Sequence, residues 1–295
     1  MKYRHRYHAG NFADVHKHVA VLALLRALQH KERGLLYMET HAGAGAYDLS
    51  DPGAHRGAEA RQGVLALLAA QAPASPELTA YRDSVLAWRG ASGQAQTYPG
   101  SPLLAARALR AQDRAQLCEL LPAECRALER AASGTPRVRI QCIDGYQALS
   151  ASLPPPERRA LILIDPPYEQ PLPEIDQAVA AIEAVLARLA NAVVALWYPL
   201  KDEHWLAAWQ ARAALRLTAP TIALELWLYP RDARVALNGS GLLLVNPPYQ
   251  FDTAARRWQQ ELRTLLEHAR PAPAPPGGEA VRVVVAEREA GHAGA

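Results

Sequence analysis

Four apolar residues, Leu161-Ile162-Leu163-Ile164, run directly into Asp165-Pro166-Pro167-Tyr168. These residue types suit a demanding piece of chemistry, in which an amino group whose lone pair is delocalised into a ring, as at N6 of adenine, is made nucleophilic. A carboxylate and a backbone carbonyl that accept hydrogen bonds from the amino group localise its lone pair and aim it at an electrophile. Asp165 offers the carboxylate and Pro166 the carbonyl. The prolines fix φ and hold the loop rigid at little entropic cost. Tyr168 offers a π face for a base extruded from its stack. With a sulfonium methyl as the electrophile, the leaving group is a neutral thioether and no strong general base is needed. The bland alternative is a proline-rich turn after a strand.

Upstream, Leu35 to Glu39 leads into Thr40-His41-Ala42-Gly43-Ala44-Gly45. Glycines after a strand let the backbone approach a nucleoside-bearing cofactor closely, here S-adenosylmethionine, although a lone G-x-G also describes an ordinary tight turn. Cys118-Glu119 and Asp144-Gly145 end two more strand-like runs with acids. Doubly wound nucleotide folds place such acids on ribose hydroxyls or an adenine amino group. Taken singly, Glu119 reads as well as a surface charge, and Asp144 as a helix N-cap. Their repetition at the carboxyl ends of successive strands favours one shared pocket. At the N-terminus, Lys2-Tyr3-Arg4-His5-Arg6-Tyr7-His8, continued by His16, Lys17 and His18, interleaves cations with aromatics. That suits phosphate contact and base stacking on unpaired RNA, and on charge alone a frayed basic terminus fits as well.

The elements that must position these residues follow from periodicity. Val15, Val19, Leu22 and Leu25 recur at helical spacing and predict an amphipathic helix over Ala13 to Leu28. From about Ser50 to Gln96 only helical stretches separated by Pro- and Gly-containing turns are visible, around Val64 to Ala70 and Leu78 to Trp88. Beyond Ser101-Pro102, which opens a helix, strand-like runs alternate with helical ones: Ala115 to Leu120, Val138 to Ile143, Ala160 to Ile164, Ala192 to Trp197, Ile222 to Leu228 and Gly241 to Val245. With Leu35 to Glu39 these make seven strands, the last two joined by a polar stretch as a hairpin. The expected fold is α/β: a class I (Rossmann-like) methyltransferase, with a seven-stranded, mostly parallel sheet and a helical insertion. Residues 1–49 hold the N-terminal helix and the start of the domain, 50–97 the insertion, 98–270 the remainder, and 271–295 a Pro-rich tail in which 281–285 could add an edge strand.

Asn246-Pro247-Pro248-Tyr249 repeats the tetrapeptide with Asn for Asp. It follows the last, antiparallel strand, whose end points away from the cofactor edge, so a structural role is expected for it. Half of the 295 residues are hydrophobic (50%), enough for a large core. Lys and Arg total 32 against 29 Asp and Glu, so a net charge of +3 does not announce a nucleic-acid binder by bulk charge. Cys118, Cys125 and Cys142 lack zinc-ligand spacing and read as buried thiols in a reducing cytoplasm, with no metal site. Neither a signal-peptide core nor a membrane-spanning run is visible, so a soluble intracellular protein is expected.

Several motifs together resemble one family. They are the Tyr3 to His18 segment, Thr40 to Gly45, Tyr98-Pro99-Gly100-Ser101-Pro102, Asp144-Gly145, Leu161 to Glu169 and Ala195 to Pro199. This pattern is similar to that of the bacterial 23S ribosomal RNA adenine-N6 methyltransferases of the J type, over essentially the whole chain to about Phe251. The resemblance implies a monomer that methylates one adenine of 23S rRNA, preferably on free or early-assembly RNA. It also implies that His18, His41, Gly43, Ser101, Glu119, Asp144, Gly145 and Asp165 line the cofactor site. Asp165, with Pro166, Tyr168 and Lys17, would carry catalysis, and Tyr3, Arg4, His5 and Arg6 would meet RNA. Other readings are a methyltransferase acting on DNA adenine or another exocyclic amine, and a non-catalytic RNA-binding module. The absence of a recognisable DNA-reading domain after the core argues against DNA, and the intact Asp165 tetrapeptide and glycine turn argue against the module.

Overall fold

In the computed structural model, residues 8–49, 56–93, 96–201, 203–270 and 277–285 are described. Asn11 caps the first helix, α1 (Phe12–Gln29), by accepting the Asp14 amide on its side chain at 2.9 Å. The chain then forms β1 (Leu36–Glu39), β2 (Ala46–Asp48), α2 (Arg56–Arg61), α3 (Val64–Ala69), α4 (Pro76–Ser92), β3 (Thr97–Pro99) and α5 (Ser101–Ala108). Next come β4 (Arg114–Cys118), α6 (Pro122–Ala131), β5 (Val138–Gln141), α7 (Gly145–Ser152), β6 (Ala160–Ile164), α8 (Pro171–Arg188) and β7 (Val193–Leu200). The C-terminal part holds α9 (Glu203–Arg216), β8 (Thr221–Trp227), β9 (Gly239–Val245), α10 (Phe251–His268) and β10 (Gly278–Val285). Proline stands in the first turn of α4, α5, α6 and α8, where its missing N–H costs no hydrogen bond.

The main sheet runs β10-β8-β9-β7-β6-β1-β4-β5. The pairs from β7 to β5 are parallel, while β9 is antiparallel to both its neighbours and β10 is antiparallel to β8. Eight strands stand where seven and a possible edge strand over 281–285 were expected: that edge strand forms, begins earlier, at Gly278, and pairs with β8. Its first residues, 278–280, carry no apolar signal, and only Val281 of the strand is buried. β2 and β3 were also unforeseen. They pair as a separate two-stranded ribbon that brackets α2, α3 and α4, and three-residue strands leave too short a pattern to detect.

Because the strand order reverses at β1, the carboxyl ends of β1 and β6 sit side by side at the switch point, with Glu39 opposite Leu163. Helix α1 packs against this region and against β9, α4, α5 and α10. It is not amphipathic there as expected: Asp14, His16, Lys17 and His18 are buried together with Val15 and Val19. A helix enclosed on several sides can carry polar residues inside only if each finds a partner, and these do. No helix among the described residues is long and apolar enough to cross a membrane.

Candidate active site

Strand β6 is buried along its whole length and delivers Asp165 to the carboxyl edge of the sheet. One carboxylate oxygen, Oδ2, accepts a hydrogen bond from Lys17 Nζ at 2.6 Å. The same ammonium lies 3.0 Å from Asp14 Oδ1, one turn back along α1. The Lys17 side chain is only 5% exposed, so a single cation is shared by two carboxylates out of bulk water. Asp14 is held in turn by the Gly10 amide, which donates to its Oδ2 at 3.0 Å. The face of Trp197 lies 5.8 Å below the Lys17 nitrogen.

Pro166 is buried and Pro167 is exposed. Tyr168 takes a left-handed backbone conformation, φ 55°, which is strained for a non-glycine residue. Glu174, in the first turn of α8, holds that conformation by accepting the amides of Tyr168 at 2.6 Å and Gln170 at 2.7 Å. The Tyr168 hydroxyl donates to the Trp197 carbonyl, and its ring meets Trp197 edge-on at 5.7 Å. Tyr168 is thus a fixed wall. Trp197 is fixed too, since its indole N–H donates to Ser240 Oγ at 3.0 Å. Ser240 also bonds His16 Nδ1 at 3.0 Å, and His16 Nε2 bonds Gln259 Oε1 at 2.8 Å. Burial lowers the His16 pKa to about 4, so the ring is neutral and its two nitrogens can play opposite hydrogen-bonding roles.

These groups open on a cavity of about 410 Å³, whose aromatic walls are Phe12, Tyr168, Trp197 and Tyr229. Asp14, Lys17 and Asp165 line it as well. Such a volume is in the range that small ligands occupy.

Beside Asp165, the carboxyl ends of the neighbouring strands present further acids. Glu39, at the end of β1, is completely buried, and burial pushes its carboxyl up to about 8 against hydrogen bonds from Ser101 and from Tyr37 at 3.0 Å. Glu119, after β4, accepts the Gly43 amide at 2.8 Å and the Leu121 amide at 2.7 Å, which locks the glycine loop onto the next strand. Burial raises its pKa despite those bonds. Asp144 caps α7 by accepting the Tyr146 amide at 2.9 Å, which is its N-cap reading. Gly43 has φ 63°, and a Cβ on Gly145 would lie 2.1 Å from the Thr40 carbonyl oxygen, so both loops come together only with glycine there. His41 bonds Thr40 Oγ1 at 2.8 Å and packs edge-on against Tyr146 at 5.2 Å, with its pKa lowered by burial. A loop of backbone amides beside several carboxylates suits a cationic nucleoside cofactor, whose hydroxyl and amino groups donate and whose sulfonium is positive.

His18 is not on the cavity wall. It is 1% exposed, bonds the Tyr98 hydroxyl at 2.7 Å and stacks on that ring at 5.8 Å. Tyr3, Arg4, His5 and Arg6 lie outside the described residues. Sequence reasoning gave no role to Glu39, Asp14, Trp197 or Glu174. Glu39 had the same signal that singled out Glu119, an acid ending a buried strand. Asp14 and Glu174 had only a first-turn position, which is common to ordinary helix starts.

The family model described as Ribosomal RNA large subunit methyltransferase D, RlmJ, matches residues 32–274. The chain belongs to that family. The Ribosomal RNA large subunit methyltransferase J of Escherichia coli K12 is 37% identical over 296 residues, covering 97% of this chain and 100% of the relative. Its namesake from Haemophilus influenzae is 34% identical over 257 residues, covering 86% and 89%. Among solved structures, a Legionella pneumophila protein superposes with a TM-score of 0.82 at 31% identity, covering 94% of this chain and 98% of that one. Membership of the RlmJ family makes the chain an RNA methyltransferase of the class I α/β type.

The second tetrapeptide sits at the other edge of the sheet from Asp165. Val245 pairs with Val194 and Thr221, near the amino ends of β7 and β8. Asn246, at φ 52°, donates to the carbonyls of Ala190 at 2.8 Å and Ala192 at 2.9 Å. Asn246→Ala is therefore expected to cost about 2 kcal/mol of stability and to leave methyl transfer within about twofold of wild type. Thermal melting and a transfer assay on the same sample check this, and a catalytic loss in a protein that still melts cooperatively would refute it.

Proposed function

We propose that this chain methylates N6 of one adenine in 23S rRNA, using S-adenosylmethionine, on free or early-assembly RNA, acting as a cytoplasmic monomer. The observation that carries this reading is the placement of Asp165. It stands at the switch point of the sheet, held by a buried lysine, on the wall of an aromatic-walled cavity and next to the strand whose end carries the glycine loop. The cofactor supplies an electrophilic methyl group on a sulfonium, which departs as a neutral thioether. His18, His41, Gly43, Ser101, Glu119, Asp144, Gly145 and Asp165 are the residues that would hold it.

Lys17 occupies one oxygen of Asp165 and leaves the other to accept from the adenine amino group, while the Pro166 carbonyl offers a second acceptor. Two acceptors turn the nitrogen lone pair out of conjugation. The amine gains a methyl carbon and gives up one proton, for which the Asp165 carboxylate is the adjacent acceptor. Tyr168 and Trp197, both fixed, keep the base in that orientation and exclude water.

Labelled cofactor incubated with a 23S rRNA transcript, assembled large subunits, DNA and protein tests the proposal. N6-methyladenosine at one site of the transcript is the expected product, with less on assembled subunits. Label on DNA but not on rRNA, or on another atom of the base, overturns it.

A further inference from the structure

Residues 8–11 lead into α1, and the short helices α2 and α3 grip them from outside. His8, Asn11 and Glu59 all line the cavity beside Asp165. The Glu59 carboxylate, on α2, accepts from His8 Nδ1, which lies 2.9 Å from Oε2 and 3.2 Å from Oε1, and from Asn11 Nδ2 at 3.4 Å. A carboxylate only accepts, so His8 carries a proton on Nδ1. Asn11 meanwhile caps α1 through its side-chain oxygen, so Glu59 holds the cap of the helix that carries Asp14 and Lys17.

A second contact reaches the same segment from the turn between α2 and α3. The Val64 amide donates to the Gly10 carbonyl at 2.8 Å. Gly10 has φ 77°, and a Cβ on Gly63 would lie 2.1 Å from the Gly10 carbonyl oxygen, so the two backbones meet this closely only with glycine at both positions. The Gly10 amide is the donor that holds Asp14, and Asp14 shares the Lys17 ammonium with Asp165. An unbroken line of polar contacts therefore runs from α2 and α3 through Gly10, Asp14 and Lys17 to the Asp165 carboxylate. The residues after α2 are anchored in turn, because the Tyr229 hydroxyl donates to Gln62 Oε1 at 3.1 Å. A half-buried ion pair such as His8 with Glu59 adds little to stability. Its leverage is on geometry, since misplacing a reacting group by about 1 Å can cost about a hundredfold in rate.

We propose that Glu59, together with the close contact between Gly10 and Gly63, positions the segment ahead of α1 so that Lys17 meets Asp165 in the orientation the reaction needs. Glu59 is thus a positioning residue, and this rests on the reading above that Asp165 accepts from the acceptor amine. The test compares Glu59→Ala, Glu59→Gln and Gly63→Ala with wild type and with Glu129→Gln, an exposed acid on α6. Single-turnover transfer to a 23S rRNA transcript, with excess enzyme and saturating cofactor, separates rate constant from amplitude. A merely structural residue lowers the amplitude, because fewer molecules are folded, and leaves the rate constant alone. The rate constant is expected to fall about tenfold in Glu59→Ala and in Gly63→Ala, and about threefold in Glu59→Gln, whose amide oxygen still accepts from His8. Glu129→Gln should match wild type, and calorimetric cofactor affinity should stay within about twofold in every variant. Amide hydrogen exchange over residues 10–17 should quicken about tenfold in Glu59→Ala while β6 keeps its protection. A Glu59→Ala protein with the wild-type rate constant overturns the proposal, as does exchange that quickens equally over β6, which would make the effect one of global stability. Should Gly63→Ala fail to fold, the two Glu59 variants carry the test. A wild type that methylates no rRNA defeats the functional reading, and exchange over residues 10–17 still decides whether Glu59 holds the segment.

Discussion

Asp165→Ala is expected to lower methyl transfer about a thousandfold or more while the cofactor still binds within severalfold of wild type. The carboxylate stands where the amino group must be desolvated and aimed, and Lys17 at 2.6 Å holds it there. Asp165→Asn discriminates further. The amide oxygen of Asn would turn toward the Lys17 ammonium, leaving its NH2 donor facing the amine donor of adenine. Two opposed donors cannot hold the base in its reactive orientation, so Asn should be almost as poor as Ala. Single-turnover transfer with excess enzyme, together with calorimetric cofactor binding, measures both quantities. If Asp165→Asn keeps more than about a tenth of the wild-type rate, the acceptor role assigned to that oxygen is wrong.

Lys17→Met carries the second large effect, on stability and activity together. It leaves the Asp14 and Asp165 carboxylates in a shared site without their cation, and breaking a buried pair from one side typically costs about 3–5 kcal/mol. Transfer should fall about a hundredfold, since the carboxylate loses the donor that orients it. Adding Asp14→Asn should restore much of the stability, because one of the two unpaired charges disappears while the Asn side chain can still accept the Gly10 amide. It should restore none of the activity. Denaturant melts and transfer rates for the two single variants and the double variant give the full cycle. Recovery of activity in the double variant would mean that Lys17 serves only to neutralise charge.

The pattern of strand and helix was legible because the inner strands, such as β6 and β7, are apolar runs bounded by Gly, Pro and acids, and burial on both faces demands that composition. The edge of the sheet was less legible: β10 contributes one buried residue to the core, and an edge strand needs no apolar run. That the two proline-proline-tyrosine segments lie at opposite edges of the sheet was legible through strand order, since a parallel and an antiparallel strand end at opposite edges. The partners of Lys17 were not. Asp14 is its helical neighbour at i−3, a common spacing, and Asp165 lies 148 residues away, so their sharing of one ammonium has no trace in sequence.

By itself the sequence determined the chemistry available to this protein: a carboxylate after a buried strand, a rigid Pro-Pro turn, a glycine loop and acids at strand ends, each dictated by local residue type. Only the tertiary structure decided how those groups are charged and held. It buried Lys17 between two carboxylates, pushed the Glu39 carboxyl up to about 8, tied Glu119 to the glycine loop and turned His18 into the core. The physical reason is that protonation and orientation depend on desolvation and on partners brought together from distant parts of the chain, and neither exists until the sheet has closed over them.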